Sequence, residues 1–287
     1  MYTYILPTGE LFPLDSGNRF ILSEEGLGMA DATDITQQGP FQNGETLLDS
    51  FLKPRVIQFT IRANARCYEL YYRERERYLD ALRPNRGQGT LRTRMPGNIV
   101  RDIKVKVSQG PNFEKAAKRG WDEWSFSTLL RFIAYDPTFY DPVVKTLLLD
   151  DFGGLMFPWT FPFAMVDYVN NTYLDYAGTF RTSPTFVITG PMLTCVITNV
   201  TTGDVIEFIY TIDLSEVVTM TLQYGNITIR NNYGDDLLSY LTTHSNISMF
   251  HLEPGVNHIR FECTGTGVAS KINMTWYDRY IGLGGLP

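Results

Sequence analysis

The stretch Val56-Ile57-Gln58-Phe59-Thr60-Ile61-Arg62-Ala63 alternates with a period of two. Ile57, Phe59, Ile61 and Ala63 share one face, and Gln58, Thr60 and Arg62 share the other. That is the pattern of a strand buried on one side. Ile103, Val105 and Val107 repeat it against Lys104 and Lys106, and Trp124–Tyr135 is a long aromatic and β-branched run that stops at Asp136-Pro137. Between these strands the period changes. Apolar side chains fall at Tyr68, Tyr71, Tyr72, Tyr78, Leu79 and Leu82, spaced for one helix face. Glu69–Arg73, Arg73–Glu76, Glu74–Arg77 and Arg77–Asp80 are expected as ion pairs on the solvated face. Pro84 and then Gly87 end the helix. The N-terminal part reads as strand–helix–strand, with one amphipathic helix laid on a sheet.

Further along, Leu147-Leu148-Leu149-Asp150-Asp151 gives way to Gly153-Gly154 and Phe157-Pro158-Trp159-Thr160-Phe161-Pro162. Glycine and proline at this density mark a connection. The domains are expected at 1–142 and 163–287, with 143–162 as the linker. Beyond it, turn signals recur every 8–12 residues or so. Short strands are expected at Pro184–Thr189, Leu193–Asn199, Val205–Tyr210, Val217–Leu222, Ile227–Arg230, Ser248–Leu252, Val256–Cys263 and Ile272–Trp276. Eight or so short antiparallel strands without helices predict a β-sandwich of the jelly-roll kind. The fold class is therefore mainly β, with an α+β N-terminal domain (a β-sandwich or split barrel carrying the helix) followed by the sandwich.

Composition narrows the class without naming a function. The 287 residues are 44% hydrophobic and 20% charged, enough apolar surface for a core. No apolar run of about 18 residues is present, so no spanning helix and no membrane partner are expected. Met1–Glu10 has neither a basic nor a long apolar region, so no signal peptide is expected. The net charge of −6 conceals a segregation: residues 1–52 carry one basic and eight acidic side chains, 53–119 seventeen and six, and 120–287 seven and seventeen. A basic block of this size suits phosphate contact, a solvated face, or pairing with acidic blocks of this chain or a neighbour, and the last two are favoured.

Little else points to chemistry. Cys67, Cys195 and Cys263 are too dispersed for a disulfide framework or a metal site, and are expected as small reduced hydrophobes. The sequons at Asn170, Asn199, Asn226, Asn246 and Asn273 read as Asn/Thr-rich β structure rather than glycosylation sites. His244, His251 and His258 are spaced by seven, but Pro254-Gly255 stops them from sharing a helix, and exposed strand histidines are expected. Asp150-Asp151 and Asp235-Asp236 are read as turn acids. No nucleophile elbow, phosphate loop, dinucleotide fingerprint or His-Glu-x-x-His occurs. No catalytic residue, cofactor or metal is expected, and the chain is not expected to be an enzyme.

A resemblance carries the functional expectation. The order Gly26-Leu27-Gly28, Gln42-Asn43-Gly44-Glu45, Leu52-Lys53-Pro54-Arg55-Val56-Ile57, the Tyr68–Leu82 helix and Leu82-Arg83-Pro84-Asn85-Arg86-Gly87 resembles the distal tail proteins (Dit) of long-tailed siphophages. So do Thr90-Leu91, Arg101-Asp102-Ile103 and the run from Trp124 into Phe132–Pro142. Tyr176-Ala177-Gly178-Thr179, Ser183-Pro184, Ile188-Thr189-Gly190-Pro191, Asn199–Gly203, Phe250–Asn257 and Trp276–Leu283 resemble that family's C-terminal module. The resemblance implies a virion protein of the tail tip, made in the host bacterial cytoplasm. It implies a ring, commonly a hexamer, joining the tail tube to tail-tip and host-adhesion proteins, with a galectin-like C-terminal domain projecting outward. Implied partners are other copies of itself, the tail tube protein, the tail-associated hub or lysin protein, the tape measure protein, and receptor-binding proteins or host-surface glycan. Phage DNA would pass through the ring only in transit. Arg73, Arg77, Arg83 and Arg86 are the candidate charged assembly face, since a ring needs two different faces to meet. The alternative is a carbohydrate-binding adhesin acting outside a ring.

Overall fold

The computed structural model describes residues 1–115, 124–149, 168–223 and 225–284. It divides into two compact units, Met1–Pro142 with Tyr280–Pro287, and Val143–Arg279. The chain is mainly β with one α-helix among the described residues. Much of the linker expected at 143–162, with its Gly153-Gly154, falls outside them.

The first unit contains β1 (Tyr2–Ile5), β2 (Leu11–Pro13), β3 (Arg19–Glu25), β4 (Ala32–Gln37), β5 (Thr46–Leu52), β6 (Arg55–Asn64), α1 (Tyr68–Ala81), β7 (Gln88–Arg94), β8 (Val100–Lys115), β9 (Ser125–Ala134) and β10 (Phe139–Tyr140). Its main sheet runs β2-β1-β7-β8-β9-β6-β3. The alternation in β6 decides its inner face: Ile57, Phe59, Ile61 and Ala63 are all buried. They join Tyr4, Leu91, Ile103, Val105, Leu130 and Phe132 in one core.

Helix α1 lies over this core as its periodicity predicts, and Leu82 caps its C-terminus. Tyr71 and Tyr78 pack edge-on against Phe126 at 5.7 and 5.4 Å between ring centroids. The expected stripe is nonetheless too wide, because Tyr68, Tyr72 and Leu79 are exposed. Glu74, placed by its spacing on the solvated face, is buried instead. Its Oε1 lies 2.5 Å from Nε of Arg19, which is also buried. The Arg19 guanidinium stacks over Phe12 at 4.3 Å and donates to the Pro13 carbonyl.

Two stability effects follow from this packing. The buried Tyr78 hydroxyl has no hydrogen-bond partner among the described residues, and burial raises its pKa. Tyr78→Phe keeps the ring contacts and removes a desolvated hydroxyl, so it is expected to stabilise by about 1 kcal/mol, read from the denaturation midpoint. Cys67, a free and exposed cysteine, occupies the N-cap of α1 in extended conformation without a side-chain capping bond. Cys67→Ser supplies that acceptor and is expected to add about 0.5–1 kcal/mol, measured the same way.

The second unit holds β11 (Lys145–Leu149), β12 (Tyr168–Tyr176), β13 (Thr185–Thr189), β14 (Met192–Asn199), β15 (Asp204–Ile212), β16 (Val217–Gln223), β17 (Asn226–Asn231), β18 (Gly255–Thr264) and β19 (Lys271–Trp276). One sheet runs β11-β19-β13-β16-β17 and the other β12-β18-β14-β15, and inward residues of both form a single core. This is a two-sheet β-sandwich. Two differences from the sequence expectation have physical reasons. Lys145–Leu149, read as part of the linker, pairs with β19 from Lys145↔Trp276 to Leu149↔Ile272. Ser248–Leu252 is not a strand; only Leu252 bridges, to Thr182. Its neighbourhood serves a polar brace, in which Asn199 Nδ2 donates to the His251 carbonyl at 2.7 Å and Asn246 Nδ2 to Asp204 at 2.6 Å. These two sequon asparagines are structural, as their partners require.

The chain then re-enters the first unit through β20 (Arg279–Tyr280), which pairs with β10.

Candidate assembly surface

The hairpin β4–β5 stands outside the main sheet as a two-stranded ribbon, in register from Ala32↔Leu52 to Gln37↔Thr46. Every residue of both strands is exposed except Leu52, which is half-buried. Ile35, Leu47, Leu48 and Phe51 present apolar side chains, and Phe41 near the turn is fully exposed with φ of 65°. From Phe20 to Leu52 there is no lysine or arginine, while Asp31, Asp34, Glu45 and Asp49 lie on or beside the ribbon. A lone two-stranded ribbon is marginal in water, and clustered exposed apolar groups mark an interaction site. Strand β3 is, among the described residues, an edge of the main sheet and carries Glu24 and Glu25, both exposed.

The candidate arginines form a different surface. Arg77 Nη1 lies 3.5 Å from Glu74 Oε2. Arg83 and Arg86 converge on Asp80 Oδ1 at 2.9 and 2.8 Å. Arg73 is exposed on the same helix. The spacing foresaw the Glu74–Arg77 pair but gave Asp80 to Arg77, whereas the two arginines that hold it both lie beyond the helix end at Ala81. Exposed Tyr68 and Tyr72 meet at 4.6 Å with their rings tilted by 55°, and Tyr68 meets Trp124 edge-on at 5.4 Å. An acidic, apolar ribbon is chemically complementary to a helix that exposes arginines on one flank and tyrosines on the other.

Sequence reasoning missed Arg55. This buried side chain ends in backbone carbonyls: Nε donates to Pro137 O at 2.9 Å, Nη1 to Gly26 O at 2.9 Å and to Gly28 O, and Nη2 to Ile281 O at 2.6 Å. Its guanidinium stands 4.9 Å from the Phe139 ring, and burial lowers its pKa. Leu283 N adds a bond to Leu27 O at 3.0 Å. Gly26 has φ of 81°, and a Cβ there would meet the Val56 carbonyl at 2.0 Å, so only glycine fits. The fragments Gly26-Leu27-Gly28, Arg55, Asp136-Pro137 and the C-terminal run, scattered through the family resemblance, thus meet at one cation. Their recurrence in that pattern was the available signal.

The residues weighed for chemistry are held apart. His258 Nε2 lies 3.1 Å from Asn171, His251 Nε2 2.7 Å from Glu253, and His244 Nδ1 3.9 Å from Glu207. Asp235 accepts from Asn231 Nδ2 and Asp236 from the Leu238 amide, as turn acids do. Asp150 and Asp151 lie outside the described residues. Among the described residues no group of three His, Cys, Asp or Glu side chains is placed to hold a metal.

Two β units, the first bearing an exposed ribbon and a charged helix, define a β-built class of protein. The comparisons with known proteins narrow that class. Residues 177–280 match the family described as siphovirus-type tail component, C-terminal domain. The fold of nearly the whole chain is similar to that of SPP1 Dit (gp 19.1), with a TM-score of 0.66 and 13% identity over 97% of this chain and 99% of that one. That protein is described as a paradigm of the hub adsorption apparatus in phages infecting Gram-positive bacteria. A weaker likeness is to a chain of the phage P2 baseplate, with a TM-score of 0.47 and 10% identity over 96% of each chain. Among curated proteins none matches the sequence.

Proposed function

We propose that this protein is the distal tail hub of a siphovirus-type virion, non-enzymatic, and that its first units close into a hexameric ring at the tail tip. The observation that carries this reading is the β4–β5 ribbon, an exposed acidic and apolar element in a tail-component chain. Inserted against the Tyr68, Tyr72, Arg73 and Arg77 face of the next subunit, it makes the heterologous contact that cyclic closure requires. One opening of such a ring would receive the tail tube protein and the other the tail-associated hub or lysin protein. The tape measure protein and then DNA would pass through its channel. The second unit, a galectin-like module in this reading, would project outward toward receptor-binding proteins or the host surface.

The test is a pair of exposed substitutions, Ile35→Asp with Phe51→Asp. Both side chains are close to half exposed, at 47%, so the fold is expected to persist by circular dichroism while the oligomer falls to monomers in light scattering. Arg73→Glu is expected to weaken assembly and flatten its salt dependence. An oligomer unchanged by all three substitutions would contradict the proposed interface.

The adhesin alternative has one observation in its favour. Tyr173, 70% exposed, stacks on His258 at 4.6 Å beside Asn171, a flat aromatic surface with polar neighbours. Glycan binding that is lost in Tyr173→Ala, by a chain that stays monomeric, would favour it.

A further inference from the structure

We propose that Cys195 and Cys263 form an oxidisable dithiol, a modification site that a peroxide converts into a cross-strand disulfide inside the second unit. The proposal is independent of ring formation. Strands β14 and β18 are antiparallel neighbours whose register sets Cys195 directly opposite Cys263. Both side chains point into the core with no exposed surface, and the Cys263 thiol donates to Cys195 Sγ at 3.7 Å. Directly opposed residues in an antiparallel pair have Cα atoms about 4.5–5.5 Å apart, within the span of about 4.4–6.8 Å that a disulfide bridges. Closing the sulfurs to bonding distance therefore asks for side-chain rotation and leaves the ladder in place. Ile197 and Phe261, the next inward pair on the same strands, wall the thiols from solvent.

The reaction balances with one peroxide. The Cys195 sulfur attacks the peroxide O–O bond, becomes a sulfenic acid and releases one water. Cys263 then displaces the sulfenic hydroxyl, which leaves as a second water, and the S–S bond forms. Two S–H bonds and one O–O bond are broken; two sulfurs are oxidised and two oxygens reduced. A peroxide is small enough to enter through local strand opening, which bulkier disulfide oxidants are not. The neighbouring Cys263 sulfur and burial hold the Cys195 thiol protonated, so closure waits on that opening and is slow. Once formed, the bond ties strands 68 positions apart in sequence and resists unfolding of this unit.

The experiment uses the full chain carrying Cys67→Ser, which removes the exposed thiol. Folded protein is treated with hydrogen peroxide, quenched with catalase, denatured and alkylated with iodoacetamide. Untreated protein is expected to take two labels. Treated protein is expected to take none, to weigh about 2 Da less, and to regain both labels after dithiothreitol. Its second unit is expected to melt at higher temperature than the reduced form. The Cys195→Ser companion must lack the lighter species. Two labels retained by the folded chain under peroxide that consumes both thiols in denaturant would overturn the proposal, as would oxygen addition at a single cysteine.

Discussion

Replacing Glu74 by leucine is expected to cost the first unit about 3–5 kcal/mol, because it strands the buried Arg19 charge without a partner. Arg19 is enclosed by Phe12 and Tyr78, and beyond Glu74 its guanidinium has the Pro13 carbonyl at 2.6 Å. Neither compensates a full positive charge removed from water. Arg19→Met together with Glu74→Leu is expected to recover most of the loss, since two apolar side chains suit an aromatic pocket that no longer holds a charge. Hydrogen exchange in peptides covering β6 and α1, with a double-mutant cycle, measures both effects. A single-variant cost below about 1 kcal/mol would show that water reaches the pair.

Arg55→Met is the second large effect, expected at about 3 kcal/mol or more. The substitution keeps an apolar stem beside Phe139 but leaves the carbonyls of Gly26, Gly28, Pro137 and Ile281 without their donor. Arg55→Lys is expected to rescue little, because an ammonium lacks the planar fork that reaches carbonyls on several segments at once. The diagnostic readout is local. Exchange should rise sharply in peptides covering 26–28 and 280–284 before the core of β6 loosens. Equal protection of those segments in wild type and variant would contradict the clamp.

These two residues also mark where the sequence stops being readable. Ile57, Phe59 and Ile61 announced their burial because strand geometry imposes a period of two that any one-sided sheet must obey. The helix bounds were legible for the same reason, with Pro84 and Gly87 as punctuation, and seven of the eight strands expected in the second unit followed their turns. Glu74 was misread because local i,i+3 arithmetic offers it Arg77, whereas its stronger partner, Arg19, lies 55 positions away. Nothing in the sequence encodes that distance. Arg55 donates to carbonyls, which every residue carries, so its partners leave no side-chain signature. The ribbon β4–β5 went unassigned because strands that face solvent on both sides show no alternation of burial. Of the four candidate arginines, Arg77 pairs with Glu74 while Arg83 and Arg86 share Asp80, so part of the charge they were expected to present is neutralised.

The central claim, ring formation by the first units, is tested most directly by the mass and shape of the purified full-length protein in solution. Light scattering with negative-stain imaging is expected to show closed rings with an axial channel and a mass of about six times 32.7 kDa, loosening as salt rises. A monodisperse monomer at high concentration and low salt would contradict it.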